Sequence, residues 1–457
     1  MDSQRLMPAS EAGLSTAEAV PFPEPICKTS SSSPRNNEQG IVIMLVAVVM
    51  LFVVGAMAAL SIDVVTLYTA RSEAQLAADG AALAGARVLA NSGATSDTNG
   101  TSMASAWILA KAVAIQVAEQ NKVGGTNLTA AEVTLPASPG GTNTNPTVTV
   151  IVQKSDLPTF FARIWGATTL TVKASATAEA YNPSNVPGPP VNPTLPVAPI
   201  CVKPWLLPNV SPNSGAASAQ IFDPATGAIL DTNLLGYQTY GQPNRLQPAC
   251  EPDCSGGPLP AASSYHFYPG DPATTFPPPT QALPSCTPAL TSSYQESIAG
   301  CIQTPIACNS PAYIDISSNP TRNAENGDAV NCLTHAQNSK GDQYDSTGGA
   351  GPPFQFIAGS DNPVPGLAGN DVMVSDSLVT VPVFDVANGA IPPNPVAIIG
   401  FLQLFLNPLG TASPTNGAIG SMRTKVINLV GCGTNPMGAQ TILGNGASPV
   451  AVRLISR

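Results

Sequence analysis

Charge is what this chain has least of. Asp, Glu, Lys and Arg make up only 10% of its 457 residues, against about 25% in ordinary soluble proteins. The net charge is −10, which argues against a nucleic-acid partner, because binding phosphates needs an excess of Lys and Arg. Histidine is scarcer still. His266 and His335 are the only two, in unrelated contexts, so a zinc site or a His-based catalytic arrangement is poorly supplied. The chain has no G-x-S-x-G, P-loop, H-E-x-x-H or EF-hand loop. It also has no repeat of fixed period, which argues against a solenoid or propeller. Neither a cofactor nor an enzymatic activity is expected. Oxygen-rich stretches at 323–328 and 360–371 and the Asp315-Ile316-Ser317-Ser318-Asn319 segment lack the ligand spacing of a known cation site, and read as solvated loops and a turn.

Against that background one feature dominates. Residues 41–60, IVIMLVAVVMLFVVGAMAAL, form an uncharged apolar run containing twelve Val, Ile, Leu or Phe residues. Twenty helical residues rise about 30 Å, the thickness of a bilayer's hydrocarbon core. Inserting those twelve side chains favours the membrane by roughly 5 kcal/mol. No other stretch reaches this length; the apolar run 396–406 is too short to span and reads as a buried strand. The lipid bilayer is therefore the first expected partner, crossed once at residues 40–62. Forty residues precede the run, which is longer than a signal peptide's apolar region, so the anchor is expected to stay on the mature chain.

Orientation follows from flanking charge and from cysteine. Lys28 and Arg35 lie before the run and Arg71 after it, a small bias toward an N-terminus inside. Of nine cysteines only Cys27 precedes the anchor. The other eight are Cys201, Cys250, Cys254, Cys286, Cys301, Cys308, Cys332 and Cys432. An even set downstream suits an oxidising compartment and disulfides; Cys250-x-x-x-Cys254 reads as part of that set rather than as half a metal site. Eight cysteines allow 105 pairings, so the connectivity stays open.

The organisation expected is a disordered cytoplasmic tail over 1–39, the span over 40–62, an α+β module over 63–181, a proline-rich linker over 182–200 and an exported, mainly β, cysteine-containing domain over 201–457. Helices are expected at 61–90, where alanine dominates, at 101–121, and as a short amphipathic turn over 157–166. Strands are expected at 132–135, 146–153, 169–181, 378–386, 396–406, 423–431 and 449–456, with a short helix at 324–338. The linker carries seven prolines in nineteen residues and reads as a semi-rigid boundary.

Residues 40–86 resemble the N-terminal domain of TadG-like proteins of the bacterial tight-adherence (Tad, or Flp) pilus-assembly system. The family pattern is a Gly before an apolar helix, an Asp just past it, and a Gln-x-Ala-Ala-Asp run rich in alanine. Gly40, Asp63, Gln75, Ala78, Asp79, Ala82 and Leu83 fill these positions. Ala74 stands where Leu is usual, and Gly80 where Ala is usual. The segment 146–181 with its PTFFARIWG, and less specifically 381–385 and 400–406, look similar to later parts of such proteins. The resemblance implies a single-pass inner-membrane structural or assembly protein, partnered with other pilus-assembly or pilin-like membrane proteins, with its C-terminal domain in the periplasm or cell exterior. The alternative is a surface adhesin or binding module on a pilin-like stalk. Processed pilins of this general kind usually keep a Glu at the fifth mature position; here Leu45 would occupy it, so processing and polymerisation as a major pilin are not expected. Some TadG-like proteins carry a von Willebrand A-type metal site, and the 315–319 segment departs from it at Asn319.

Two physical readings attach to the motif. Asp63 falls where the helix would leave the bilayer, where a carboxylate is cheap. The Ala/Gly face of 77–86 permits close approach, either to a helix of a partner or second copy, or to this chain's own strands.

Overall fold

The computed structural model describes residues 38–166, 168–184, 196–212, 219–239, 242–248, 265–283, 285–315, 321–336, 340–385, 394–412, 415–416, 420–432, 442–443 and 448–456. Residues 1–37 with Cys27, most of the proline-rich linker, Cys250, Cys254 and 316–320 lie outside them. The main elements, in chain order, are α1 (Glu38–Asn91), α2 (Met103–Glu119), β1 (Pro146–Pro158), β2 (Thr169–Tyr181), β3 (Trp205–Pro208), β4 (Gln242–Pro248), β5 (Tyr265–Pro269), α3 (Ser293–Ala299), α4 (Thr321–Leu333), β6 (Leu378–Phe384), β7 (Val396–Leu406), β8 (Ser421–Gly431) and β9 (Ala451–Ser456).

The chain divides into two units, residues 1–59 and 60–457. In the first, the described part is the start of α1. From Ile41 to Val54 its large apolar side chains are exposed, and the helix is long and apolar enough to cross a membrane.

In the second unit the rest of α1 is buried along one face. Ala70, Ala74, Ala77, Ala78, Ala81, Ala82 and Ala86 recur at helical spacing and have almost no exposed surface. They pack on Val148, Val150 and Val152 of β1, on alternate alanines of β2 (Ala174, Ala176, Ala178, Ala180) and beside Ala106, Ala110, Ala114 and Ala118 of α2. Alternation along the strands puts these residues on one sheet face. Small side chains on every surface bring the backbones close. The approach is tightest at Gly85, where a Cβ would lie 2.9 Å from Val148 Cγ1 and 3.3 Å from the Ala110 carbonyl. The expectation that this alanine face meets another molecule's helix is thereby overturned: it is consumed by the chain's own core.

The module's sheet is antiparallel, in the order β9, β2, β1, Val133–Thr134, with Gly140–Gly141 also on β1. Its outer strand β9 arrives from the far end of the chain. The sequence-based partition put residues 449–456 with the C-terminal domain; the structure lays them along β2, Ala451 opposite Tyr181. One apolar cluster runs from α1 through the module to Val197, Leu206, Phe384, Phe401 and Val430, so the core is continuous across the proline-rich segment.

The C-terminal part is mainly β. Strands β7, β6, β3, β5, β4 and β8 pair in that order, and β8 pairs again with β7, closing a six-stranded ring. β3–β6 and β4–β5 are the parallel pairs. Closure leaves the ring without a free edge to template pairing with other chains. Tyr294 and Ile298 of α3, with Ala329 and Val330 of α4, share a core with Trp205, Phe267, Val381 and Leu404 of the strands.

Three further expectations need correction. Residues 323–328 are not a loop but lie inside α4, where Asn326 accepts from the Trp205 indole N–H at 2.9 Å and donates to the Gly420 carbonyl at 2.7 Å. The helix expected over 157–166 shrinks to a single turn, Ala162–Trp165. Leu157 instead stays in the ladder opposite Leu170, and the amides of 160–162 are taken by Asp63. Asp315 is not a turn carboxylate alone, since it pairs with Arg322 at 2.9 Å.

Six of the cysteines form three bridges: Cys201–Cys301, Cys286–Cys332 and Cys308–Cys432. Cys308–Cys432 ties the segment ahead of β7 to the residue that ends β8, and both sulfurs lie in the shared core. Two bridges close loops of 100 and 124 residues, lengths at which a cross-link restricts the unfolded chain strongly. Thiol labelling of the denatured, unreduced protein should therefore leave these six cysteines unlabelled, and reduction should cost about 2–5 kcal/mol of stability per bridge.

Candidate functional site

The motif residues lie on α1 and are brought together by its helical repeat. Asp63 is nearly buried. Its Oδ1 accepts from the Phe160 amide at 2.9 Å, and its Oδ2 from the amides of Phe161 at 3.0 Å and Ala162 at 2.6 Å. These three donors open the Ala162–Trp165 turn, whose first N–H groups have no partner within the turn. The carboxylate thus works as a cap supplied from 97 or more residues away in sequence, not as a solvated group at a membrane surface. One turn of helix further, Thr66, Thr69, Ala70 and Glu73 face Gly124, Leu157 and Phe160 across a cavity of about 330 Å³. Glu73 Oε2 closes one side by accepting from the Gly124 amide at 2.8 Å.

Gln75 and Asp79 are four residues apart and so share a helix face. Gln75 Nε2 donates to Asp79 Oδ1 at 2.7 Å and to the Ser175 carbonyl of β2 at 3.1 Å. The pair staples helix to sheet beside Ala78 and Ala82, while Leu83 is half-buried against the same core. Gly80 has open space around its Cβ position, so here the departure from Ala costs no packing. Gly40 likewise has no neighbour within 4 Å; nothing in the structure explains a glycine there.

At its far end α1 runs into the C-terminal part. Asn428 Nδ2, on β8, donates to the Ala90 carbonyl at 2.5 Å and to Gln403 Oε1 at 2.6 Å. Gln403 Nε2, on β7, donates to Asn91 Oδ1 at 3.3 Å, and Asn91 Nδ2 donates to the Met373 carbonyl at 2.7 Å. Ser96 donates to Asn428 Oδ1 and accepts from the Leu429 amide, both at 2.9 Å. Asn182, just after β2, donates to the Leu429 carbonyl at 3.1 Å. Every one of these side chains is buried. Asp97 starts α2 by accepting from the Ser102 amide and hydroxyl; burial would raise its pKa, but these bonds and those from Thr101 and Asn99 hold its carboxyl below the ordinary range. Sequence reasoning missed this joint, because single Asn, Gln and Ser residues carry no periodic signal.

Two buried lysines in the C-terminal part were also missed. Lys203 donates to the carbonyls of Ile298 and Gly300 at the end of α3, and burial lowers its pKa to about 7. Lys425 lies over the Tyr344 ring, 4.1 Å from its centroid, and burial lowers its pKa to about 8. Both are structural ties. His335 pairs with Asp376 at 2.9 Å. Among the described residues no three His, Cys, Asp or Glu side chains gather as a metal site.

The arrangement defines a protein in which one helix serves first as an exposed apolar segment able to cross a membrane and then as the core of an exported-type, disulfide-bridged fold. Residues 40–88 match the family model described as "Putative Flp pilus-assembly TadE/G-like". The chain therefore carries a TadE/G-like domain of the Tad pilus system, and the match lies wholly within α1. No curated protein and no solved structure matches the chain.

Two substitutions separate the roles of the motif. Ala78→Leu should destabilise the isolated protein by about 1–3 kcal/mol through overpacking, read as lower resistance to protease; an unchanged profile would mean the face has room that its burial denies. Asp63→Asn should speed amide exchange at Phe160–Ala162 by about tenfold or more, since the charge-assisted acceptor is lost, while exchange along β2 stays unchanged.

Proposed function

We propose that this chain is a single-pass structural or assembly protein of a bacterial Tad/Flp-type pilus, anchored in the inner membrane, with residues 1–39 in the cytoplasm and the folded part in the periplasm or at the cell exterior. The observation that carries the reading is the TadE/G-like match over 40–88 on a helix whose first part is exposed and apolar and whose second part is built into a folded module. The three bridges support an oxidising compartment for residues after 200. The negative charge supports partners other than nucleic acid, and the structural use made of the buried lysines and motif carboxylates supports a role without enzymatic activity. Partners are other pilus-assembly or pilin-like membrane proteins. With the alanine face occupied internally, they have to be engaged through other surfaces.

Deleting the gene should abolish or strongly reduce surface pili, with restoration by the wild-type chain. A periplasm-active reporter fused after Arg457 should be active and the same reporter at the N-terminus inactive. Normal piliation in the deletion strain would sink the assembly role, and reversed reporter activities would invert the topology.

A further inference from the structure

The exposed apolar surface of α1 does not stop at the end of the apolar run. Ile62, Val64 and Val65 remain exposed, and Tyr68 is 71% exposed. At this same level the segment 159–166 folds back and is fastened to Asp63 by three amides. That fastening leaves Phe160 57% exposed and Arg163 exposed beside it. A large aromatic side chain held outward by a buried carboxylate is an expensive arrangement to leave in water, since exposed large apolar groups that cluster mark contact surfaces.

The order of side chains along this surface points to what covers it. Residues 41–60 offer only aliphatic groups, one Phe and small residues; Tyr68 and Phe160 come next, and Arg71 and Arg163 with them. Aliphatic, then aromatic, then basic is the order of hydrocarbon core, interface and phosphate layer in a bilayer leaflet. The spacing agrees. From Ile62 to Tyr68 a helix rises about 9 Å, comparable to the roughly 5–8 Å by which each headgroup layer extends beyond the core. Asp63 would stand at the edge of the hydrocarbon, where an unpaired carboxylate is costly, but its oxygens are already taken by the three amides.

We infer that residues 159–166 are a membrane-docking loop: Phe160 enters the interfacial layer of the leaflet from which α1 emerges, and Arg163 meets lipid phosphate. Asp63 is the positioning residue that sets the loop at that depth. The ligand is phospholipid, and the contact fixes the height and tilt of the folded part over the membrane. This inference rests on the single span proposed above.

The test uses the full chain in its native membrane, with a photo-crosslinking amino acid replacing Leu51, Phe160 or Ile108 in separate variants. Leu51 lies in the span. Ile108 is exposed on α2, whose Ala110 packs at Gly85, about 30 Å along α1 from Asp63. Phospholipid adducts are expected at 51 and 160 and not at 108. Lipid at 51 with none at 160, or only a protein adduct at 160, overturns the docking loop and leaves the span standing. No lipid at 51 overturns the span and the inference with it. Adding Asp63→Asn to the position-160 variant should lower its lipid adduct several-fold while the yield at 51 is unchanged. An equal yield would remove Asp63 from the positioning role.

Discussion

The structure depends most on a handful of buried amides at the end of the anchor helix. Asn91, Gln403 and Asn428 pass hydrogen bonds between α1, β7 and β8, and Ser96 and Asn182 complete the set. A buried amide that loses its partner costs about 1–3 kcal/mol, whereas a satisfied one contributes little more than neutrality. The network therefore acts less as glue than as a specification: the helix end can occupy this position against β7 and β8 and no neighbouring one without orphaning several groups at once. Apolar packing alone would not have that selectivity, since an alanine-faced helix slides over a Val/Ala sheet with small changes in area.

That joint explains the continuity of the core beyond the proline-rich segment. The helix brings its alanine face to β1 and β2, while its terminus is locked to β7 and β8. β9 then returns to complete the module's sheet, and the Cys308–Cys432 bridge holds the neighbouring loops. A pull on the membrane end of α1 is thus delivered both to the module, along the whole alanine face, and to the closed ring of strands, through the amides at its end. For a protein of a pilus system this is a mechanically sensible connection, with no unfolded hinge between the helix and the sheets it serves.

What the amino-acid sequence disclosed follows the range of the interactions involved. The apolar run, the alanine-rich helix and the strands 169–181, 396–406 and 421–431 carry local periodicity, and their positions agree with expectation within a few residues. Interactions between distant residues were not legible. Asp63 reads locally as a carboxylate at a membrane boundary, and only folding shows the amides of 160–162 arriving from 97 residues away. The alanine face of 77–86 had two chemically equivalent occupants, and local sequence could not choose between strands of its own chain and a foreign helix. Ring closure by β7 and β8, the return of β9 and the three cysteine pairings are all long-range choices. The 323–328 stretch shows the converse error: its polar residues suggested a loop, yet Asn326 is polar because it must satisfy Trp205 and Gly420 inside a core.

The family motif gains a physical meaning from this division. It lies wholly within one helix, yet almost none of its residues can be understood from that helix alone. Asp63 needs the 160–162 amides, Gln75 needs the Ser175 carbonyl, and Ala78 and Ala82 need β1 and β2 at close range. Each motif side chain is the α1 half of a contact whose other half is generic: a backbone amide, a backbone carbonyl or the surface of small apolar residues. Generic partners can be supplied by many sequences. A chain can therefore keep a recognisable helix while the sheets built around it carry little that a family pattern could capture, and here the family match ends at residue 88, where α1 meets the joint.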